Sequence, residues 1–276
     1  MTEQPPPGPP SKGELVLYQI ARGIAVGLSR LYLPGRVTGR ENLPASGAYL
    51  VAPVHRSYVD WLIVARITAR RRLRYIAKAE IWKSKVVGRI LEALGVFPVN
   101  RSGADREALE RCRQVLAGGE PLIMFPEGTR RSGPVVEDLR EGVAYLAVRA
   151  GVPVVPIGIG GSEQAMPRGS TLPRPHRVEV VIGKPIWPPG AGEVTASGEP
   201  VPTPAVPAAE AAAADAGPRE GGSGAASTLD RDGAGASRRK AGRVSRRATK
   251  EFSDEIAAGM QQVFDEAQRR AGIRTP

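Results

Sequence analysis

The chain has 276 residues and 41% are hydrophobic, so it is long enough for one large domain or two small ones with a real core. A formal net charge of +11 predicts an anionic partner, namely nucleic acid, anionic lipid or a phosphorylated substrate. An aromatic content of 5% argues against base stacking on single-stranded nucleic acid. The single cysteine, Cys112, excludes an internal disulfide and favours a reducing compartment, and its place in a helix-like segment predicts a packed small side chain.

The N-terminal region divides into two segments of different composition. Residues 1–12 are rich in proline and are predicted to be disordered. Residues 13–35 are predicted to form an amphipathic helix with a narrow, mostly polar stripe and a wide apolar face. Arg22 near the middle of this segment argues against a membrane-spanning helix. Two alternatives remain: the helix lies in a membrane interface, or it packs on its own domain.

Short apolar runs and helix-like segments alternate from residue 36 to residue 187. Helices are predicted at 58–70, 80–94, 105–116 and 137–149, each after a strand-like run. Strands are predicted at 36–39, 49–52, 72–78, 96–99, 122–125, 152–159 and 177–183. This alternation predicts an α/β sandwich around a largely parallel mixed sheet with flanking helices.

The composition changes after Trp187. Residues 188–245 contain few large apolar side chains and are predicted to be a disordered, low-complexity insertion. A basic run at 237–250 is either a solvated tail or a contact for an anionic surface. Residues 246–272 show helical apolar spacing, so we expect a C-terminal helix that packs back on the domain.

His55 is one of two histidines, and it stands between a predicted strand and a predicted helix. Asp60 follows five residues later, and five residues on one helix would place the two side chains on different faces. Contact therefore requires His55 in the turn and Asp60 in the first helical turn, with Ser57 as the N-cap. One interpretation is a general base with its orienting acid; the other is a helix-capping box that involves Ser57 and Asp60 alone.

Three further stretches follow predicted strands, where open α/β sheets usually bind ligands. In FPEGTRRS, Gly128 permits a tight turn, Arg130 suits a phosphate, and Glu127 suits a hydroxyl or an arginine. GVFPVNR places Arg101 after a strand, and Lys78 stands at another strand end. The third, VPVVPIGIGG, has an unusual content of proline and glycine and either borders a pocket or marks the edge of the sheet. His176, directly after Pro175 in the stretch PRPHRVEV, is predicted to lie in a surface loop.

Taken together, these stretches resemble the glycerolipid acyltransferase family, the 1-acylglycerol-3-phosphate O-acyltransferases and their relatives. The family motif His-x4-Asp matches His55 and Asp60. The other three family motifs match GVFPVNR, FPEGTRRS and VPVVPIGIGG in the family order. The resemblance covers about residues 36–187, taken as the acyltransferase domain, and extends to the final helix.

The resemblance implies transfer of a fatty acyl group to the free hydroxyl of 1-acylglycerol 3-phosphate, which gives phosphatidic acid. It implies acyl-CoA or acyl-carrier protein as the donor, and neither a metal nor a bound cofactor. The implied setting is the cytoplasmic face of the cell membrane, in peripheral or monotopic contact with anionic lipids. The alternatives are glycerol 3-phosphate or another lysolipid as the acceptor, a hydrolase releasing free fatty acid, and a non-catalytic membrane or nucleic-acid binder.

The resemblance also implies roles for individual residues. His55 is the general base, and Asp60 orients its imidazole. Val155 and Pro156 are associated with the acyl donor. The implied phosphate-binding positions are Lys78, Arg101, Glu127, Gly128, Thr129 and Arg130.

Overall fold

A computed structural model gives the fold of residues 11–68, 71–99, 105–190 and 245–273, which all belong to one compact unit. Arg101 lies outside these described residues. So do residues 1–10 and 191–244, which make up most of the two segments predicted to be disordered.

The seven strands form one sheet in the order β1-β7-β6-β2-β5-β3-β4. The five strands from β6 to β4 run parallel to their neighbours, whereas β7 runs antiparallel to β6 and parallel to β1. This confirms the predicted α/β class with a largely parallel mixed sheet. The strands are Val37–Thr38 (β1), Leu50–Pro53 (β2), Arg74–Lys78 (β3), Val96–Val99 (β4), Leu122–Ile123 (β5), Val154–Gly160 (β6) and Glu179–Ile182 (β7).

The helices pack in two groups. In one group α5 contacts both α4 and α7, and these three helices also contact strands β2, β5, β6 and β7. In the other group α1 contacts α2 and α3, and α3 contacts β4. The helices are Lys12–Tyr32 (α1), Asp60–Val64 (α2), Lys85–Ala93 (α3), Asp105–Ala117 (α4), Gly142–Ala150 (α5), Ser162–Ala165 (α6) and Arg246–Arg270 (α7).

The unusual glycines of β6 are explained by the C-terminal helix. A β-carbon at Gly158 would overlap the backbone carbonyl of Val263, and one at Gly160 would overlap that of Ala267. Both carbonyls belong to α7, so the missing side chains let this helix lie directly on the strand. The predicted return of the C-terminal helix to the domain is therefore present.

Helix α1 packs inward through its narrow stripe. Tyr18, Arg22, Val26 and Ser29 are buried, and the Tyr18 hydroxyl accepts a hydrogen bond from the backbone N–H of Leu73 at 3.0 Å. The wide apolar face is exposed and includes Leu15, Val16, Leu17, Ile20, Ile24, Leu28 and Leu31. The helix thus packs on its own domain and still presents an apolar face outward. Among the described residues, no helix has the length and apolar character that crossing a membrane requires.

Helix α2 is much shorter than the predicted helix at 58–70, because it ends at Val64. The guanidinium of Arg40 donates hydrogen bonds to the carbonyl oxygens of Arg66 and Ile67, at 3.1 and 3.2 Å. These carbonyls belong to the turn after α2, and a side chain from a distant segment satisfies them in place of a continuing helix. A contact of this kind has no local sequence signal.

Two other predicted helices begin later than expected. The segment 80–94 begins as a 3₁₀ turn, Ala79–Lys83, and α3 starts only at Lys85, where Ser84 caps it. The segment 137–149 is helical only from Gly142. Its first residues are held differently, because Asp138 has a φ of 54° and the Arg140 N–H donates to Pro126 O at 2.8 Å.

Candidate active site

The loops that follow β2 and β5 meet at one edge of the sheet. The two strands are parallel neighbours, so their carboxyl ends lie side by side. His55 follows β2, and its backbone N–H donates to Oε2 of Glu127, in the loop after β5, at 2.8 Å. The carbonyl oxygen of His55 accepts a hydrogen bond from the backbone N–H of Arg131 at 2.8 Å. The sheet thus brings the first and third predicted motifs together.

Asp60 holds the imidazole of His55. Nδ1 of His55 lies 3.0 Å from Oδ2 of Asp60, which is fully buried. A carboxylate accepts hydrogen bonds, so Nδ1 carries the proton and Nε2 retains the lone pair of the neutral ring. The side chain of His55 is 20% exposed. The contact with Asp60 thus leaves Nε2 of a partly exposed imidazole able to accept a proton.

The interpretation of this pair as a capping box alone is wrong, because the Asp60 carboxylate holds the His55 ring as well as the Ser57 N–H. Val59 is the N-cap of α2 and Asp60 is its first residue, so Asp60 is not the third residue of a helix capped by Ser57. The Ser57 hydroxyl instead donates to Met166 O at 2.9 Å. Oδ2 of Asp60 accepts hydrogen bonds from the N–H groups of Arg56 and Ser57, both at 2.7 Å. The acid therefore shapes the turn that carries His55.

An aromatic ring covers one face of the His55 imidazole. The ring of Phe125 lies 4.1 Å from it, centroid to centroid, with an interplanar angle of 29°. Phe125 stands in the loop after β5, two residues before Glu127. The imidazole is thus fixed by one hydrogen bond and one stacking contact, which restricts its rotation.

Glu127 is buried, at 1% exposure, and both of its carboxylate oxygens have protein partners. Oε1 lies 2.6 Å from Nη1 of Arg56, and Oε2 accepts the hydrogen bond from the backbone N–H of His55. The predicted contact of Glu127 with an arginine is therefore present, and the arginine is Arg56.

Arg130 is stacked on an aromatic ring in the turn that follows His55. Its guanidinium carbon lies 3.2 Å from the centroid of the Tyr58 ring, two residues before Asp60. Within the described residues, Nη1 of Arg130 is buried and has no hydrogen-bond partner. A guanidinium that is fixed by stacking and has an unpaired donor suits an anionic ligand such as a phosphate.

The turn between these residues depends on glycine. Gly128 has a φ of 67°, which a residue with a side chain rarely adopts, and a β-carbon there would overlap the side chain of Arg140. Its N–H donates to Phe125 O at 3.0 Å, so this donor closes the turn and does not face a ligand. Thr129 is exposed, and its hydroxyl donates to Arg130 O at 3.2 Å.

The other predicted site residues are placed less closely. Lys78 is the last residue of β3, at the same edge of the sheet. Val155 and Pro156 are buried inside β6, opposite Val51 and Ala52 of β2. In the described ranges, no group of three or more histidine, cysteine or acidic side chains is placed to hold a metal ion.

Three site residues have no assignment from sequence: Arg56, Tyr58 and Phe125. Two of them, Arg56 and Tyr58, lie inside the His-x4-Asp interval, and Phe125 opens the FPEGTRRS stretch. Their contacts reach residues about 70 positions away, which no spacing rule within one motif reveals. The only signal available was their position inside motifs that already carried an interpretation.

The arrangement as a whole suits acid–base chemistry on an anionic substrate. It combines a proton-accepting imidazole, a buried carboxylate behind it and a guanidinium with an open donor nearby. A family model described as Acyltransferase matches residues 35–160, which contain all of these groups. Residues 35–160 are therefore similar to acyltransferase domains.

Proteins similar to this chain include plant and bacterial enzymes. A chloroplastic 1-acyl-sn-glycerol-3-phosphate acyltransferase of Brassica napus is 33% identical over 155 residues, covering 55% of this chain and 44% of the relative. The enzyme of the same name from Bacillus subtilis is 28% identical over 151 residues, covering 55% of this chain and 73% of the relative. The chain thus spans less than half the length of the plant relative.

A solved structure also resembles this chain. The crystal structure of the 1-acyl-sn-glycerophosphate acyltransferase from Thermotoga maritima superposes with a TM-score of 0.55 at 26% sequence identity. The match covers 65% of this chain and 72% of the crystallised one. It supports the α/β sandwich and the family resemblance together.

Proposed function

We propose that this chain transfers a fatty acyl group from a thioester to the free hydroxyl of 1-acylglycerol 3-phosphate, which yields phosphatidic acid. The observation that carries the proposal is the 3.0 Å contact between Nδ1 of His55 and Oδ2 of Asp60. It makes Nε2 of a partly exposed imidazole the proton acceptor. The names of the relatives support the choice of substrate class.

The reaction proceeds by direct transfer between the two substrates. Nε2 of His55 takes the hydroxyl proton as the oxygen attacks the thioester carbon, and a tetrahedral oxyanion forms. The carbon–sulfur bond then breaks, and the thiolate leaves with the proton that the imidazolium returns. Asp60 stabilises the transient positive charge on the ring, and general-base help of this kind contributes about 10²–10⁴ in rate. A thiolate leaves readily, so these steps require no metal ion.

Arg130 is the group that we assign to the acceptor phosphate. Its stacking on Tyr58 keeps the guanidinium plane fixed, and its Nη1 is buried and unpaired among the described residues. A phosphate oxygen satisfies such a donor with a charge-assisted hydrogen bond. Thr129, beside it, is exposed at the same turn. We keep Lys78 and Arg101 as further phosphate-binding candidates. Lys78 ends β3 at this edge of the sheet, and Arg101 comes two positions after the end of β4 in the sequence.

The acyl donor is acyl-CoA or acyl-carrier protein. Both present the same thioester, and the proposed steps at His55 do not distinguish them. Val155 and Pro156 are buried within β6, so any influence on the donor passes through the strand, whose carboxyl end lies beside that of β2.

We further propose that the enzyme lies on a membrane surface through α1 and α3. The exposed apolar face of α1 is continued by three exposed side chains of α3, Val86, Val87 and Ile90, and the two helices are in contact. Exposed basic residues accompany these faces: Lys12, Arg30, Lys83 and Arg89. Apolar side chains with neighbouring cations fit a bilayer that contains anionic lipids, at the cytoplasmic face of the cell membrane.

The substrate assignment is tested with the purified full-length chain and a panel of acceptors. The panel holds 1-acylglycerol 3-phosphate, glycerol 3-phosphate and a lysophospholipid without a phosphate monoester, each with oleoyl-CoA or oleoyl-acyl-carrier protein. We expect phosphatidic acid, detected by mass spectrometry, to be the main product. Diacylated product from another acceptor in preference would contradict this assignment, and free fatty acid without any acceptor would indicate a hydrolase.

The non-catalytic alternative makes an opposite pair of predictions. A binder that uses the basic run loses its function when residues 237–250 are deleted, and it tolerates His55→Ala. The proposed enzyme loses its activity in His55→Ala and retains the chemical step after the deletion.

A further inference from the structure

Arg56 is a fully buried arginine, and each of its three guanidinium nitrogens has a hydrogen-bond partner. Its side chain is 1% exposed. Nε donates to Gly133 O at 3.0 Å, Nη2 donates to Val135 O at 2.8 Å, and Nη1 lies 2.6 Å from Oε1 of Glu127. Burying a charge is costly unless it is paired and hydrogen-bonded, and this one is both.

The ion pair ends at the backbone of the general base. Glu127 gives one oxygen to Arg56 and the other to the N–H of His55, at 2.6 and 2.8 Å. If the side chain of Arg56 is removed by substitution, Glu127 loses the cation that fixes its orientation. The N–H of His55 then depends on a carboxylate that is free to rotate.

Helix α7 closes this arrangement from the outside. The ring of Phe264 lies 4.9 Å from the guanidinium carbon of Arg56. The side-chain amide of Gln261 donates to Pro134 O at 2.9 Å, and its carbonyl oxygen accepts from the N–H of Val136 at 2.7 Å. Gln261 of α7 therefore holds the loop at 133–136, and this loop supplies two of the acceptors of Arg56.

We propose that Arg56 is a positioning residue for the catalytic base. It acts through Glu127 on the backbone of His55, and α7 keeps it in place. Glu127 is accordingly a positioning residue too, in place of the phosphate-binding role that the family resemblance implies. This inference rests on the proposed acyl transfer, because it assigns His55 as the base whose position matters.

A positioning role differs from a stabilising role in its consequences. Replacing a buried ion pair by apolar side chains of similar size is often neutral or stabilising for the fold. An apolar pair nevertheless leaves the N–H of His55 without its acceptor. The double variant Arg56→Met/Glu127→Met therefore separates the two roles, because it removes both charges at once.

The first experiment measures Tm, kcat and both KM values of this double variant. We expect a folded protein whose kcat is lower by about tenfold or more, since small displacements of catalytic groups have effects of this size or larger. Both KM values stay within about threefold of wild type, because neither residue is placed to touch a substrate. A folded double variant with wild-type kcat would overturn the proposal.

A second pair of variants tests the proposal if the double variant does not fold. Gln261→Ala removes the two hydrogen bonds to the 133–136 loop, and Gln262→Ala on the exposed side of α7 is its matched control. We expect kcat to fall about threefold or more in Gln261→Ala alone, with unchanged KM. Equal kcat in the two variants would contradict a positioning role for α7 and its loop.

A spectroscopic measurement separates this inference from the proposed function. The chain contains two histidines, so ¹⁵N-histidine labelling gives signals from His55 and from His176 as an internal reference. In Gln261→Ala and in the double variant, we expect the ring signals of His55 to shift or broaden while those of His176 do not. Unchanged His55 signals would overturn the positioning role. An inactive wild type whose His55 signals still respond would instead count against acyl transfer alone.

Discussion

Oδ2 of Asp60 lies 3.0 Å from Nδ1 of His55 and is the same oxygen that accepts the N–H groups of Arg56 and Ser57. One atom therefore orients the imidazole and also closes the turn that carries it. Activity and local stability both depend on Asp60, but they require different properties of its side chain. The turn needs an acceptor oxygen, whereas the imidazolium needs a negative charge.

Asp60→Asn and Asp60→Ala separate these properties. We expect Asp60→Asn to keep an oxygen for the two N–H groups and to lose the charge, so that kcat falls by about 10³–10⁴ while Tm stays near that of wild type. Asp60→Ala also leaves buried donors unpaired, which costs about 1–3 kcal/mol for each group in the free energy of unfolding. Steady-state kinetics and thermal unfolding measure both effects. Equal loss of Tm in the two variants would contradict this division.

The sequence predicted the contact of His55 with Asp60 and misjudged its local geometry. The requirement that His55 precede the helix and that Asp60 lie in its first turn is met. Ser57 is not the N-cap of α2, because this helix begins only after Val59, although Oδ2 of Asp60 accepts the Ser57 N–H as it would in a capping box. The ion pair of Arg56 with Glu127 joins residues 71 positions apart. Such a contact depends on β2 and β5 being neighbours, and strand order is not visible in one sequence.

Stacking of Arg130 on Tyr58 predicts a selective effect on the acceptor. Tyr58→Phe keeps the ring beneath the guanidinium, and we expect an unchanged KM. Tyr58→Leu removes the stacking, which is worth about 0.5–1 kcal/mol at an exposed site, so KM for 1-acylglycerol 3-phosphate rises about two- to fivefold. The KM for the acyl donor is the internal control. An equal rise in both KM values would count against a role in holding the phosphate.

Because α7 packs closely on β6, we expect that adding one methyl group to a glycine of β6 strongly destabilises the fold. Gly158→Ala places a β-carbon against the carbonyl of Val263, and we expect the free energy of unfolding to fall by about 1–3 kcal/mol or more. Gly23→Ala in α1 is the matched control, because nothing lies within 4 Å of the added carbon. Helix propensity alone makes that variant more stable by about 0.5–1 kcal/mol. Denaturant titration measures both, and similar stability of the two variants would contradict the packing account.

The fold was predictable where hydrophobic periodicity was strong. Alternating strands and helices gave the α/β class, and α1 and α7 closely match their predicted ranges. The short helix α2 was not predictable, because Arg40 satisfies the carbonyls beyond its end. The positive φ of Asp138 likewise accompanies a tertiary contact, the hydrogen bond from the Arg140 N–H to Pro126 O. Local pattern therefore fixed the element types, and tertiary hydrogen bonds set several of their limits.

The exposed faces of α1 and α3 predict binding to vesicles. Leu28→Glu/Leu31→Glu places two charges on the apolar face of α1, where each leucine that leaves water contributes about 1.5–3 kcal/mol. We expect association with vesicles of phosphatidylglycerol and phosphatidylcholine to fall about tenfold or more in a sedimentation assay. Leu172→Glu, an exposed leucine outside both helices, is the control. The membrane assignment fails if both variants bind as wild type or lose binding equally.

Cys112 predicts a pH-dependent stability. Its thiol is 1% exposed, and burial raises its pKa from an ordinary value near 9 to about 12. Between these values the unfolded chain releases the thiol proton and the folded chain keeps it, so the thiol contributes less to stability as pH rises from about 9 to about 12. We expect a smaller alkaline loss of unfolding free energy in Cys112→Val. Rapid labelling of the native thiol at pH 8 would contradict its burial.

The central claim is that His55 takes the proton of the acceptor hydroxyl. The most direct measurement follows phosphatidic acid formed from oleoyl-CoA and 1-acylglycerol 3-phosphate by wild type, His55→Ala and His176→Ala, with folding checked by thermal unfolding. The account predicts product from wild type and His176→Ala, and a rate lower by about 10²–10⁴ or more in His55→Ala. Equal product from His55→Ala and wild type would contradict it.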